Sequence, residues 1–213
     1  MAGGVVVIAV LASALHVYSI SNKRIHTEIV DLPETAQTVM ILGARVWPDS
    51  RISTIYLERI QTAIAIYQAG KADTILIAVG GGGLIAGAMA WLQGTRKVIA
   101  VEPEQSCALH SAMKSNKPVD VTVSGIASNA LGAKKAGNIC FELAKAQQIK
   151  TLLLKDSDIA VAQKLLWNKF RQFVEPAAST ALAAVTSGTY IPEKDEKIAI
   201  LICGANPPLN PFD

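Results

Sequence analysis

Four consecutive glycines lie in the segment IAVGGGGLIAG, after a short apolar run and before residues with helical character. Glycine allows the backbone to come close to an anion, and the first turn of a helix offers free N–H groups. A tight turn between a strand and a helix would account for one or two of these glycines, but poorly for four. The run therefore predicts a phosphate-binding loop at Gly80, Gly81, Gly82 and Gly83.

Three cysteines, Cys107, Cys140 and Cys203, could also do chemistry. None is part of a CxxC pair and each lies in an apolar or helical context, so we expect thiols in a reducing environment rather than disulfides. Cys107 and His110 are three residues apart, but no second pair at metal spacing accompanies them. A zinc site is therefore not predicted.

The composition limits the partners and the fold of the 213-residue chain. A net charge of +3, with no basic stripe interleaved with aromatics, gives no support to nucleic acid as a partner. The hydrophobic content of 51% is rich in Ala, Ile and Val, as in buried parallel strands covered by helices. The length suffices for one good core or for two small lobes.

Strand-like and helix-like segments alternate along the chain. This alternation predicts an α/β fold with a mostly parallel, doubly wound, Rossmann-like sheet and helices on both faces. The predicted strands are TVMILGARV, TILIAV, KVIAVEPE, TLLL and KIAILICGAN. The predicted helices cover 54–69, 84–93, 105–115, 128–148, about 157–173 and 177–187. In this arrangement, the glycine run joins a strand to the helix that follows it.

The N-terminal segment 3–20 is apolar, without Lys, Arg, Asp or Glu, and Lys23 and Arg24 follow it. A helix of this length reaches only the lower limit of roughly 17 to 25 residues for a membrane span, and no basic residue precedes it. Two interpretations stay open, a membrane anchor or uncleaved signal and a buried apolar element. We expect a membrane-associated protein if the segment spans, and a cytoplasmic one otherwise.

From about Val79 to Asn206 the chain resembles the C-terminal half of the serine/threonine dehydratases, enzymes of fold type II that depend on pyridoxal phosphate. The matching segments are VGGGGLIAG, VIAVEPE, SDIAVAQKLLW, FVEPAASTALAAV and ILICGAN. The resemblance implies that the glycine run, with Leu84 directly after it, holds the cofactor's 5′-phosphate. It also implies that Cys203 faces the pyridine nitrogen.

The same resemblance implies a cation beside the cofactor. Glu102 matches a carboxylate that binds this cation, and backbone carbonyls such as that of Ser106 would supply further oxygen ligands for a monovalent or divalent ion. The alternative for Glu102 is a solvated acid at the end of a strand, and the sequence does not decide between the two.

The first part of the chain resembles the SanA/YdcF family of envelope-associated proteins, in TVMILGARVWPDSRIS and YLERIQTAIAIYQAGKADTILI. The two resemblances meet near residues 77–80. We therefore expect an anchor-like segment at 1–22, a SanA/YdcF-like fragment at 23–77 and a dehydratase-like region at 78–213. A natural or engineered fusion of two α/β fragments would explain the join.

Dehydration also requires a Schiff-base lysine, which the family carries in an S-x-K-x-R-G motif, and a second motif of the S-x-G-N-H type. Neither motif occurs in these 213 residues. We therefore expect a dehydratase-derived protein, catalytically incomplete alone, that keeps the phosphate side of the site. It would bind a phosphate ligand or an amino acid substrate, as a homo-oligomer or with a partner chain. The alternatives are a SanA/YdcF-like envelope protein and a chimera without enzymatic function.

Overall fold

The computed structural model describes residues 38–42, 72–202 and 204, which belong to a compact unit spanning Ala36–Asp213. The predicted apolar segment 3–20 and the predicted helix 54–69 lie outside the described residues. Within the described part of the chain, no helix has the length and apolar character needed to cross a bilayer.

In the described residues five parallel strands form one sheet, which confirms the predicted mostly parallel α/β fold. In space they run in the order β1-β5-β2-β3-β4, so the last strand lies between the first two. Their register places Ile77 opposite both Ala100 and Leu201. The strands are β1 Thr38–Leu42, β2 Thr74–Ala78, β3 Lys97–Pro103, β4 Lys150–Leu154 and β5 Ile198–Ile202.

Helices cover both faces of the sheet, because consecutive strand residues point to opposite sides. The helices are α1 Gly83–Leu92, α2 Ala108–Ser115, α3 Ser128–Leu131, α4 Asn138–Ala146, α5 Asp156–Phe170 and α6 Pro176–Thr186. Leu76 and Ile99 pack in one core with α3, α5 and α6, while Ile77 and Ala100 pack in a second core with α1, α2 and α4.

The prediction of one long helix over 128–148 was wrong, because two helices, α3 and α4, occupy this segment. A side chain at Gly132 would collide with the carbonyl oxygen of Ser128. Five residues later, the backbone N–H of Gly137 donates to the carbonyl of Gly81 at 3.2 Å. The break therefore brings the start of α4 against the glycine run.

A hydrogen-bonded network lies at the amino-terminal edge of the sheet. Glu196, just before β5, accepts hydrogen bonds from the hydroxyls of Thr74 and Tyr190, each at 2.5 Å. Lys97 lies 3.1 Å from the Tyr190 hydroxyl and 3.6 Å from the Glu196 carboxylate. Burial alone would raise the pKa of Glu196. The two hydroxyl hydrogen bonds, a third hydrogen bond from the Glu193 N–H and the positive charge of Lys97 together lower this pKa to about 2.

Candidate functional site

The glycine run lies at the carboxyl end of β2 and leads directly into α1. Gly82 is the N-cap residue of α1, and no side chain caps the helix or places an acidic group in its first turn. The first N–H groups of a helix have no acceptor within the helix. Those of Gly83, Leu84 and Ile85 are therefore available to an anion, and the positive end of the helix dipole favours one.

Two of the four glycines are required by close packing. Gly82 has a φ of +90°, in the left-handed region, and a Cβ there would lie 2.6 Å from the Cβ of Cys140. A Cβ on Gly80 would lie 3.1 Å from both the carbonyl oxygen of Ala130 and the Cα of Leu131. Gly81 and Gly83 have no such restriction. The run thus combines two positions fixed by neighbouring backbone or side chains with two open ones.

The loop opens onto a cavity of about 210 Å³. Roughly 300 to 1,000 Å³ is typical of small-molecule sites, so the described cavity corresponds to part of such a site. Besides the glycines, α3 and the start of α6 contribute to its walls. The lining residues are Ala78, Val79, Gly80, Gly81, Gly82, Gly83, Leu84, Ile85, Ala130, Leu131 and Ala177.

Cys140 packs against the glycine run, a role that the sequence did not indicate. Its side chain is buried at the start of α4, against Gly82. Burial, together with the charge of Glu102, raises the pKa of the Cys140 thiol to about 11. A thiol that stays protonated at neutral pH is a packing group rather than a nucleophile.

Glu102 is fully buried in β3, so the alternative of a solvated acid was wrong. Its two carboxylate oxygens accept hydrogen bonds from the N–H groups of Leu109, at 2.8 Å, and His110, at 2.7 Å. The carboxylate therefore caps the first turn of α2. Burial raises the pKa of Glu102 to about 7, and the two N–H hydrogen bonds act in the opposite direction.

Ser106 is also buried, in the turn between β3 and α2, and its hydroxyl donates to the carbonyl of Leu131 at 2.5 Å. The described residues contain no cluster of three or more His, Cys, Asp or Glu side chains that could hold a metal. The cation site at Glu102 and the Ser106 carbonyl stays a prediction. Cys203, predicted to face the pyridine nitrogen, lies outside the described residues.

The fold and the loop together define an α/β protein with a candidate anion-binding loop at the carboxyl edge of a parallel sheet, the edge at which ligands of such sheets bind. A family model described as pyridoxal-phosphate dependent enzyme matches residues 48–204. The chain therefore belongs to the family of pyridoxal-phosphate dependent enzymes.

Individual relatives agree with this family. Phenylserine dehydratase of Ralstonia pickettii is 30% identical over 142 residues, which cover 65% of this chain and 44% of the relative. The biosynthetic L-threonine dehydratase IlvA of Escherichia coli is 32% identical over 158 residues, which cover 72% of this chain and 29% of that relative. The structure of serine racemase from Dictyostelium discoideum superimposes with a TM-score of 0.61 at 28% identity. The match covers 70% of this chain and 49% of the racemase.

The chain spans less than half the length of these two dehydratases. The family match begins at residue 48, so it includes 48–77, which the sequence assigned to the SanA/YdcF resemblance. Strands β1 and β2, from that same fragment, also share one sheet with β3, β4 and β5. The SanA/YdcF resemblance, the fusion and the boundary at residue 77 stay predictions.

Proposed function

We propose that this chain provides the phosphate-side half of a pyridoxal phosphate site of the serine/threonine dehydratase type. The observation that carries the proposal is the uncapped first turn of α1, which follows a loop where a side chain would clash at Gly82 and be tightly packed at Gly80. Membership in the pyridoxal-phosphate family supports the choice of ligand. The relatives named as dehydratases support a small hydroxy amino acid as the substrate class.

The residues of this chain bind and orient the ligand. The N–H groups of Gly83, Leu84 and Ile85 donate to the phosphate, and the helix dipole stabilises its charge without a cationic side chain. Ala130 and Leu131 form an apolar wall of the cavity on one side of the loop. When bound, the cofactor's pyridine ring supplies an electron sink for chemistry at the substrate's α-carbon.

The proposed half-site lacks a lysine to link the cofactor, since neither motif of the family's other half occurs in these 213 residues. These 213 residues by themselves should therefore hold pyridoxal phosphate reversibly, without efficient turnover. Turnover would require the missing groups from a partner chain or from a further segment.

A binding titration tests the phosphate part of this proposal. The intrinsic fluorescence of the full chain is followed during addition of pyridoxal 5′-phosphate, of pyridoxal and of inorganic phosphate. We expect pyridoxal phosphate to bind at least about tenfold more tightly than pyridoxal, since charge-assisted hydrogen bonds contribute well over about 1 kcal/mol. Inorganic phosphate should compete with it. Equal affinities for the two pyridoxal compounds would contradict the proposal.

Borohydride treatment tests the missing lysine separately. After reduction and mass spectrometry, we expect no single lysine to be labelled stoichiometrically. Stoichiometric labelling of one lysine would overturn catalytic incompleteness while leaving the phosphate site intact. Labelling spread thinly over many lysines is the expected background of surface amines.

A further inference from the structure

The short helix α3 forms one wall of the glycine cradle, which is defined here as Gly80 to Gly83 with the first turn of α1. Ala130 and Leu131, at the end of α3, line the cavity with the glycines. A Cβ on Gly80 would lie 3.1 Å from the backbone of both residues. The position of α3 therefore fixes how closely the loop approaches its wall.

A helix of four residues such as α3 has little stability of its own, because nucleating a turn fixes several residues for few hydrogen bonds. Its position must come from contacts with the rest of the protein. The N–H of Leu131 donates to the carbonyl of Ala127 within the turn, at 2.8 Å. The carbonyl of Leu131 instead accepts the Ser106 hydroxyl, at 2.5 Å.

The turn that carries Ser106 is itself held firmly. The Ser106 N–H donates to the carbonyl of Pro103 at 3.0 Å, and Ser106 is only 1% exposed. On either side of this turn, Glu102 is buried in β3 and caps the start of α2. A second tie comes from the N–H of Ser124, which donates to the carbonyl of Gln105 at 3.0 Å. The Ser106 hydroxyl thus links a well-held turn to α3, a short helix with little stability of its own.

We propose that Ser106 is a positioning residue for phosphate binding. Its hydroxyl holds the carbonyl of Leu131 and so keeps α3 against Gly80, which sets the width of the glycine cradle. This role belongs to the side chain and is separate from the cation contact predicted for the backbone carbonyl of the same residue. The inference rests on the proposed phosphate site and names a residue that determines its geometry.

The test compares Ser106→Ala with Ser111→Ala in the full chain. Ser111 is the matched control because it lies in α2 and its hydroxyl contacts only the Cys107 sulfur, at 3.7 Å, among the described side chains. The measured quantity is the ratio of the dissociation constants for pyridoxal and pyridoxal phosphate. Loss of one buried hydrogen bond corresponds to a change of about tenfold. We expect this ratio to fall about tenfold in Ser106→Ala and to stay unchanged in Ser111→Ala.

A purely structural role would lower stability and weaken both ligands equally, so it would leave the ratio unchanged and overturn the inference. Ser106→Cys keeps a weaker donor of similar size and should give an intermediate ratio. It also keeps the inference testable if Ser106→Ala does not fold. A wild-type protein without preference for the phosphorylated ligand would overturn the proposed function and this inference together. A preference retained in Ser106→Ala would overturn the role of Ser106 alone.

Discussion

The carboxyl edge and the amino edge of the sheet, where the parallel strands end and begin, differ in how their polar groups are paired. At the carboxyl edge, the first turn of α1 has no capping side chain, and burial raises the pKa of Glu102 although its carboxylate accepts two backbone N–H hydrogen bonds. At the amino edge, Glu196 is satisfied by two hydroxyls and its pKa is lowered. The uncapped N–H groups of α1 are therefore suited to receive a ligand, whereas the paired groups of Glu102 and Glu196 belong to the fold. The proposed binding site and the stabilising network thus lie at opposite ends of the strands.

Among the substitutions considered, Gly82→Ala at the carboxyl edge should cause the largest loss of stability. The left-handed backbone and the contact with Cys140 both penalise a side chain, so we expect the free energy of unfolding to fall by about 2 to 5 kcal/mol. Urea unfolding measures the change. Gly83→Ala is the control, because a Cβ added there would meet nothing within 4 Å, and its change should stay within about 1 kcal/mol. Equal losses in both variants would contradict the described packing.

The pH dependence of stability distinguishes Glu102 from ordinary carboxylates. Its folded pKa of about 7 exceeds the unfolded value of 4.5, so the folded state binds the proton more tightly. This contribution is present below about pH 4.5 and is lost as the pH rises through about 7, a change on the order of 3 kcal/mol. Glu102→Gln should abolish this fall in urea unfolding curves.

The exposed neighbour Glu104 provides the control for this measurement. Glu104→Gln should keep the fall in stability between about pH 4.5 and 7. If Glu102→Gln keeps it as well, another group is responsible and the two edges do not differ in the way described.

At the amino edge the sign is reversed. The pKa of Glu196 is lowered to about 2, so its contribution is present above about pH 4.5 and is lost as the pH falls towards 2. Glu196→Gln should cost about 1 to 2 kcal/mol at pH 7 and flatten the acid limb of the stability curve. Glu193→Gln is the control, since that side chain is exposed. An unchanged acid limb in Glu196→Gln would remove the contrast between the edges.

The smallest effect is expected for the surface ion pair of Asp120 and Lys135, in the segment that contains α3. The two charges are 3.1 Å apart, and their side chains are 77% and 49% exposed. Exposed pairs contribute little, so Asp120→Asn should change the free energy of unfolding by less than about 0.5 kcal/mol and leave phosphate binding intact. A large loss of binding would mean that surface charge, rather than the buried Ser106 hydrogen bond, holds this wall.

The strands and the glycine loop could be predicted because their signals are local. Apolar β-branched runs predicted the strands, and glycines between such a run and helical residues predicted the loop. The break between α3 and α4 was missed, although Gly132 and Gly137 on either side of Lys134 are weak local signals for it. It depends on the contact of Gly137 with Gly81, which only the folded sheet creates.

The roles of Glu102 and Ser106 were hidden for a similar reason. Their partners are backbone groups of Leu109, His110 and Leu131, and backbone groups leave no trace in the sequence. The resemblance to a family indicated that these positions matter. It did not indicate that Glu102 caps α2 or that Ser106 donates a hydrogen bond to α3. Sheet order, too, follows from packing rather than from any local pattern.

The central position of β5 has a consequence for synthesis on the ribosome. Until residues 198–202 have emerged, β1 lacks its partner and one side of β2 stays uncovered, because β5 pairs with both. The nascent chain must therefore keep two strand edges apart during this interval, a state in which unpaired strands are prone to aggregate. The five apolar residues of this strand, IAILI, then insert between β1 and β2 and join them in one sheet. Chaperone dependence would accordingly be concentrated in the interval before this strand is made.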